Sequence, residues 1–165
     1  MKKRIIALGL LWCLSAVMLQ AARVDTVLVR SAAMNKDVKV VYVLPDKAIG
    51  KQACPVVYLL HGYGGNARSW VQLKPELPQM ADEKGIIFVC PDGKNSWYWD
   101  SPENPAYRYE TFVTSELVKY TDGNYATIPD RKARAISGLS MGGHGALWSA
   151  IRHKDVFGAA GSMSG

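Results

Sequence analysis

The sequence ARAISGLSMGGHGALW, residues 133–148, decides the fold of this chain. An apolar strand is expected over 133–137 and a helix over 142–153, so Ser140 falls on the tight turn that joins them. A serine on such a turn is held with its hydroxyl projecting from the sheet, and flanking glycines let neighbouring backbone pass close. The pattern predicts that Ser140 is a nucleophile. The alternative is a tight turn with an incidental serine.

A second glycine-rich stretch, LLHGYGG at residues 59–65, follows the apolar run 55–60. An oxyanion hole takes one backbone amide from the residue after the nucleophile and another from the loop after an earlier strand. Met141 is placed to supply the first amide and Tyr63 the second. A plain glycine turn is the alternative. His61 lies in the wrong loop for the base of a catalytic triad, so we expect it to have a structural role.

The remaining pattern alternates strands with helices. Valine-rich runs predict an antiparallel hairpin, and two unbroken apolar runs predict strands buried on both faces. The expected strands are 24–29, 38–44, 55–60, 86–90, 133–137 and 157–162, and the expected helices are 69–84 (interrupted by Pro75 and Pro78), 109–120 and 142–153. This alternation predicts an α/β protein whose mostly parallel sheet is covered by helices on both faces.

The first 22 residues have the layout of a secretory signal peptide. Lys2, Lys3 and Arg4 precede an apolar run over residues 5–19, which is followed by small residues. The run is shorter than the roughly 20 residues of a membrane-spanning helix, so a retained anchor is the weaker reading. We therefore expect export to the periplasm or the medium, with the folded domain over residues 23–165.

Charge and cysteine content narrow the classes of partner. Without the leader, 17 of the 20 basic residues remain against 14 acidic ones, an excess too mild to indicate nucleic acid. Cys54 and Cys90 fall at opposite ends of neighbouring parallel strands, beyond disulfide reach, which predicts two buried free thiols. No grouping has the spacing of a metal site or a nucleotide-binding loop, so we expect neither metal nor cofactor.

Aromatic residues are concentrated between the second buried strand and the helix at 109–120. Their faces are suited to stacking on an aromatic acyl group or a sugar ring, but such residues also pack long loops onto a core. Both readings stay open at this point. The residues concerned are Trp97, Tyr98, Trp99, Tyr107 and Tyr109.

Several motifs in combination resemble the esterase D type group of α/β-hydrolases, which includes feruloyl and acetylxylan esterases, tributyrin esterases, S-formylglutathione hydrolase and the antigen 85 mycolyltransferases. The motifs are LLHGYGG (59–65), PDG (91–93), NSWYWDSP (95–102), YETFVTSEL (109–117) and GLSMGGHGA (138–146). The resemblance implies an α/β-hydrolase fold with Ser140 as nucleophile and the amides of Tyr63 and Met141 as oxyanion donors. It implies action on small-molecule or polysaccharide-linked acyl esters.

The order of catalytic residues in α/β-hydrolases raises a further expectation. The acid and the histidine follow the nucleophile, on loops after later strands. Only 25 residues follow Ser140, and His144 and His153 among them have no preceding acid. We expect His153 to lie too far along its helix, and His144 to lack an orienting carboxylate. The sequence thus predicts a fold truncated after the nucleophile helix, with an uncovered sheet edge.

Three functions compete at this stage. The first is a secreted serine carboxylesterase acting through an acyl-enzyme on feruloyl- or acetyl-type esters. The second is an acyltransferase of the antigen 85 kind, and the third is a catalytically incomplete or non-catalytic chain. The sequence leaves the ester, the acceptor and the oligomeric state open.

Overall fold

The computed structural model of the protein describes residues 22–165. The predicted signal peptide therefore lies outside the described residues, apart from Ala22. Six strands form one mixed sheet in the order β1-β2-β4-β3-β5-β6. Their bounds are Arg23–Ser31 (β1), Lys36–Leu44 (β2), Val56–Leu60 (β3), Ile87–Pro91 (β4), Arg134–Leu139 (β5) and Ala159–Met163 (β6).

The predicted hairpin is confirmed. Strands β1 and β2 pair antiparallel, and Asn35 takes a positive φ of 50° in the turn between them. Strand β2 also pairs antiparallel with β4, whereas β3 pairs parallel with β4 and β5, and β5 pairs parallel with β6. Because β3, β4 and β5 are parallel, their carboxyl ends meet at one edge of the sheet, where loops can assemble a site.

Helices cover both faces of the sheet, as predicted. On one face the core contains Phe112, Leu117 and Ala146 from the later helices. On the other face Trp70, Leu77 and Ala81 pack against alternate residues of the same strands. The helices are Asp46–Ile49 (α1), Ser69–Leu73 (α2), Leu77–Lys84 (α3), Tyr109–Thr111 (α4), Leu117–Asn124 (α5) and Met141–Arg152 (α6).

Several predicted boundaries need correction. Pro78 does not interrupt a helix but lies in the first turn of α3. Proline is tolerated there because the backbone N–H groups of the first turn have no acceptor within the helix. The helix expected over 109–120 runs on to Asn124 and contains a π-helical segment, Phe112–Glu116, between α4 and α5. The short α1 was not predicted, since four residues carry no readable period.

The expectation of two free thiols is confirmed. Cys54 and Cys90 are both buried free thiols.

Within the described residues β6 pairs only with β5. Hydrophobic side chains are exposed on β6, at Met163, and on α6, at Leu147 and Ile151. Among residues 22–165, none of the helices combines the length and the apolarity that a membrane crossing requires.

Candidate active site

Ser140 lies between the end of β5 and the start of α6, on a strained turn. Its φ and ψ are 53° and −117°, a region that L-residues other than glycine rarely adopt. The side chain is exposed, and its hydroxyl makes no capping hydrogen bond to α6. Its amide donates to the Met163 carbonyl at 2.7 Å, which fixes the turn against the end of β6. Strain of this kind at an exposed polar side chain is typical of functional sites.

Glycines allow this turn to approach the neighbouring strand. A Cβ added to Gly142 would lie 2.2 Å from the Leu60 carbonyl oxygen, and one added to Gly138 would lie 2.2 Å from Gly142 backbone. Such distances are far inside van der Waals contact. The first turn of α6 therefore packs directly on the carboxyl end of β3 because neither residue has a side chain.

The loop after β3 lies beside Ser140. A Cβ added to Gly62 would lie 3.7 Å from the Ser140 Cβ, so the two glycine-rich stretches meet. The Met141 amide, at the first residue of α6, and the Tyr63 amide have no acceptor within residues 22–165. The Tyr63 side chain is 66% exposed. The structure thus brings all three predicted site residues to the carboxyl edge of the parallel strands.

His61 is buried and fully engaged. Its Nδ1 lies 2.7 Å from the Gly62 carbonyl oxygen, and its Nε2 accepts a hydrogen bond from the Gly93 amide at 2.9 Å. Because the Gly93 amide can only donate to Nε2, Nδ1 is the ring nitrogen that is left to donate to the Gly62 carbonyl oxygen. The expected structural role is confirmed: His61 ties the loop after β3 to the loop after β4.

Asp92 supports the same loop. Burial opposes its ionisation, but the hydrogen bonds and the charge of Lys94 outweigh this and hold the pKa of Asp92 well below its usual range. The Lys94 amide and ammonium both donate to the carboxylate, at 3.0 and 2.8 Å. Asp92 is therefore ionised at neutral pH, and its carboxylate orders the turn after β4.

His144 and the exposed tryptophans form an aromatic cluster beside the serine. His144 lies one helical turn after Ser140, stacked on Trp148 with centroids 6.0 Å apart and edge-on to Trp97 at 5.5 Å. Trp99 meets Trp148 edge-on at 6.3 Å. Trp97 and Trp99 remain 43% and 48% exposed. We call Trp97, Trp99, His144 and Trp148 the aromatic cluster.

The aromatic residues singled out from the sequence therefore divide into two groups. Tyr98 and Tyr109 are buried in the core, and Tyr107 packs against it, as a packing role requires. Trp97 and Trp99 face outward and remain available for contact. His144 Nδ1 has no hydrogen-bond partner within the described residues.

The far end of α6 is held by Glu110. Its buried carboxylate accepts hydrogen bonds from Trp148 Nε1 at 2.7 Å and Arg152 Nε at 2.7 Å, and its Oε1 lies 2.8 Å from His153 Nε2. Burial alone would raise the pKa of Glu110, but these hydrogen bonds lower it. We call Glu110, Trp148, Arg152 and His153 the Glu110 cluster.

His153 is therefore committed to a contact remote from the serine. Ser140 and His153 flank the 12 residues of α6, a length of about 18 Å at 1.5 Å per residue. The expectation that His153 lies out of reach of Ser140 is confirmed.

An open cavity of about 450 Å³ lies beside the serine turn. Its walls come from the loop after β3, from α2 and from the residue before the nucleophile. They include Tyr63, Gln72, Leu73 and Leu139. Within the described part of the chain no three His, Cys, Asp or Glu side chains are grouped as metal ligands.

Sequence reasoning missed three supporting residues. Asn95 accepts a hydrogen bond from the Gly64 amide at 2.8 Å, and the Tyr98 hydroxyl binds the His61 backbone. Glu110 is the third. The only signal for them was their position in motifs shared with a family, because none of these contacts is local in sequence.

Several known proteins are similar to this chain in sequence and in fold. An acetyl esterase of Caldicellulosiruptor saccharolyticus is 28% identical over 135 residues, which are 77% of this chain and 50% of that protein. The diacylglycerol acyltransferase/mycolyltransferase Ag85A of Mycobacterium gordonae is 34% identical, covering 86% of this chain and 42% of that one. A solved ferulic acid esterase superposes with a TM-score of 0.73 at 31% identity, covering 85% of this chain and 59% of that one.

These likenesses confirm the α/β-hydrolase fold. The chain spans about half the length of the curated relatives that it matches. The model of the esterase family matches residues 31–165, from the end of β1 through the serine turn to the last residue described. Since that match covers most of the sequence, the chain belongs to the esterase family.

Proposed function

We propose that this protein is a serine carboxylesterase that acts through an acyl-enzyme on Ser140. The hydroxyl oxygen attacks the ester carbonyl carbon, the serine proton passes to a base, and the alcohol leaves with a proton. Water then attacks the acyl-enzyme, which releases the carboxylic acid and restores Ser140. Neither step calls on a cofactor.

One observation carries this proposal: an exposed serine on a strained turn lies beside two backbone amides that have no acceptor within residues 22–165. The amides of Met141 and Tyr63 are suited to donate to the negative oxygen that develops on the carbonyl. The amino terminus of α6 adds a favourable dipole at the same place. A turn of purely structural purpose has no need for this combination.

The surroundings of Ser140 support an acyl ester of aromatic or small acyl type. The aromatic cluster, whose His144 lies one helical turn after the serine, contains two half-exposed tryptophans, and aromatic rings of this kind stack on phenolic rings and sugars. The cavity beside the turn is lined by Tyr63, Leu73 and Leu139, which suits an apolar group. The relatives named ferulic acid esterase and acetyl esterase favour the same class.

Residues 22–165 taken alone offer Ser140 no histidine that is oriented by a carboxylate to accept its proton. Serine esterases use a histidine oriented by a carboxylate. The two nitrogens of His61 bind backbone, and His153 is held by Glu110, while His144 lies between tryptophans. We propose that these residues alone give at most the slow reaction that an oxyanion hole and a bare serine support, and that rapid turnover requires a further histidine.

Acyl transfer is the second candidate, and the likeness to Ag85A favours it. It differs from hydrolysis only in the second step, where a sugar or alcohol hydroxyl attacks the acyl-enzyme in place of water. Added trehalose or glycerol separates the two. Formation of an acylated acceptor at the expense of free acid would favour the transferase, and unchanged release of free acid would favour the hydrolase.

Turnover of p-nitrophenyl acetate and methyl ferulate by wild type and Ser140→Ala tests the proposal. We expect the variant to lose the enzyme-dependent rate, because loss of the nucleophile in a serine hydrolase costs on the order of a million-fold with an intact triad. Retention of more than about a few per cent of the wild-type rate in Ser140→Ala would rule Ser140 out.

We also propose that the protein is exported and that cleavage occurs near Ala22 or Arg23. The basic, apolar and small-residue order of the first 22 residues supports this proposal. Intact mass of the exported protein decides it. A mature protein that still carries Lys2 would indicate a retained membrane anchor.

A further inference from the structure

The loop that follows β4, residues 93–99, carries the largest concentration of unusual backbone outside the serine turn. Lys94, Trp97 and Tyr98 all have positive φ, at 49°, 57° and 58°. Each such residue costs about 1 kcal/mol or more, so the surrounding contacts must hold the loop in this form. The proposed function assigns Trp97 and Trp99 of this loop to the substrate, and it assigns Asn95 and Tyr98 no task.

Tyr98 is the centre of the loop. Its ring is buried between the turn after β4 and the first turns of α6, where added Cβ atoms on Gly93 and Gly145 would lie 2.2 and 2.7 Å from ring carbons. Its amide is bound by the Ser96 hydroxyl at 3.1 Å. The backbone strain and both glycines therefore serve to place one tyrosine ring in the narrow space behind the serine turn.

The Tyr98 hydroxyl reaches the loop after β3 from that position. It accepts a hydrogen bond from the His61 amide at 3.0 Å and lies 3.3 Å from the His61 carbonyl oxygen, to which it can donate. Both backbone groups of one residue are thus bound by one hydroxyl. His61 is two residues before Tyr63, whose amide is the proposed oxyanion donor.

A second contact from the same loop binds the other side of Tyr63. The Asn95 side-chain oxygen accepts from the Gly64 amide at 2.8 Å, where Gly64 takes a φ of 75°. The Tyr63 amide is therefore flanked on both sides by backbone that residues 95 and 98 hold, while it makes no hydrogen bond itself within the described residues.

From this geometry we infer that Tyr98, with Asn95, is a positioning residue that holds the loop after β3 so that the Tyr63 amide is aimed at Ser140. This inference rests on the proposed function. An oxyanion donor acts only when it is fixed before the reaction, and a displacement of about 1 Å can cost on the order of a hundred-fold in rate. Tyr98 touches no substrate in this role.

Tyr98→Phe removes only the hydroxyl, and Asn95→Ala provides a second variant on the other side of Tyr63. Tyr42→Phe is a matched control, because it also removes a buried tyrosine hydroxyl with a hydrogen bond, to Thr121 at 2.9 Å, but from strand β2. Two readouts are needed. The first is hydrogen exchange of the peptide containing residues 61–65, and the second is labelling of Ser140 by a fluorophosphonate.

We expect exchange over 61–65 to become about tenfold faster in Tyr98→Phe and Asn95→Ala, the effect of losing one net hydrogen bond, and to stay unchanged in Tyr42→Phe. We expect the maximal labelling rate to fall about tenfold or more, with the half-saturating probe concentration changed less than about threefold. Labelling displaces fluoride and forms a bond from the Ser140 oxygen to phosphorus, whose oxygen takes the place of the oxyanion.

Wild-type exchange over 61–65 in both variants would overturn the inference, as would faster exchange with an unchanged labelling rate. An equal effect of Tyr42→Phe would also overturn it, because general destabilisation would then suffice. Failure of the proposed function has a different signature: Ser140→Ala would be labelled as fast as wild type. The exchange comparison would then still decide whether Tyr98 holds the loop.

Discussion

The two ends of α6 are built on opposite principles. At the amino end, Ser140 is strained and exposed, the Met141 amide has no acceptor within residues 22–165, and glycines replace side chains in the packing. At the carboxyl end, one buried carboxylate satisfies three donors in the Glu110 cluster. Unfilled donors suit binding of an external group, and filled ones suit stability. One helix is thus anchored by side-chain hydrogen bonds at the end remote from the proposed nucleophile.

The largest effect is expected from filling the close approach at the amino end. In Gly142→Ala the new Cβ would meet the Leu60 carbonyl oxygen at 2.2 Å, so α6 or β3 must shift. We expect the free energy of unfolding to fall by about 3 kcal/mol, and Ser140 labelling to be lost because the turn is displaced. Urea unfolding followed by tryptophan fluorescence measures the first.

Gly123→Ala is the control for this change. Gly123 lies within α5, and nothing lies within 4 Å of an added Cβ. We expect a gain of about 0.5–1 kcal/mol from helix propensity, with unchanged labelling. If both substitutions change stability equally, the close approach at Gly142 does not govern the packing of α6.

The second prediction concerns the carboxyl end of α6. Glu110→Gln keeps the size of the side chain but removes the charge that accepts from Trp148 and Arg152. We expect the free energy of unfolding at pH 7 to fall by about 2 kcal/mol, since hydrogen bonds to a charged group contribute about 1.5–3 kcal/mol. Labelling of Ser140 at the other end of the helix should stay close to wild type.

This loss should depend on pH in a defined direction. The pKa of Glu110 is lower in the folded protein than its ordinary value of 4.5. Its contribution is therefore fully present above about pH 4.5 and is lost as the pH falls through the folded pKa. The difference in unfolding free energy between wild type and Glu110→Gln should shrink on acidification from pH 6 to pH 3. A constant difference would show that the charge of Glu110 is not the stabilising feature.

The smallest expected effect comes from relieving strain at the serine. Ser140→Gly accepts the φ of 53° without steric cost, and no capping bond is lost because the hydroxyl makes none. We expect the free energy of unfolding of Ser140→Gly to exceed that of Ser140→Ala by about 1 kcal/mol. Relief of the backbone strain stabilises the glycine variant, and the greater conformational entropy of glycine in the unfolded chain offsets part of this gain. Equal stability of the two variants would mean that the turn carries no strain.

Much of the fold was readable from sequence because its signals are local. An apolar run such as 55–60 that is followed by a glycine-rich loop predicts a buried strand. The motif around Ser140 consists of five adjacent residues. Element ends were less readable. Pro78, expected to interrupt a helix, instead lies in the first turn of one, because α3 begins at Leu77 and Glu76 is its N-cap.

The supporting contacts were not readable because they join residues far apart in sequence. Tyr98 binds backbone 37 positions earlier, and Glu110 binds side chains 38 to 43 positions later. Composition and periodicity carry no information on such pairs. The aromatic loop illustrates this limit: sequence left packing and binding open for all five residues, whereas the fold buries Tyr98 and exposes Trp97.

Acylation of Ser140 can be observed by mapping the covalent adduct. The protein is mixed with p-nitrophenyl acetate, quenched in acid within the first turnover and digested, and the acetylated peptide is sequenced by mass spectrometry. If Ser140 is the nucleophile, one acetyl group is found on Ser140 and none on the same peptide of Ser140→Ala. Acetyl groups confined to lysines or to Tyr63, with Ser140 unmodified while p-nitrophenol is released at the enzyme-dependent rate, would contradict it.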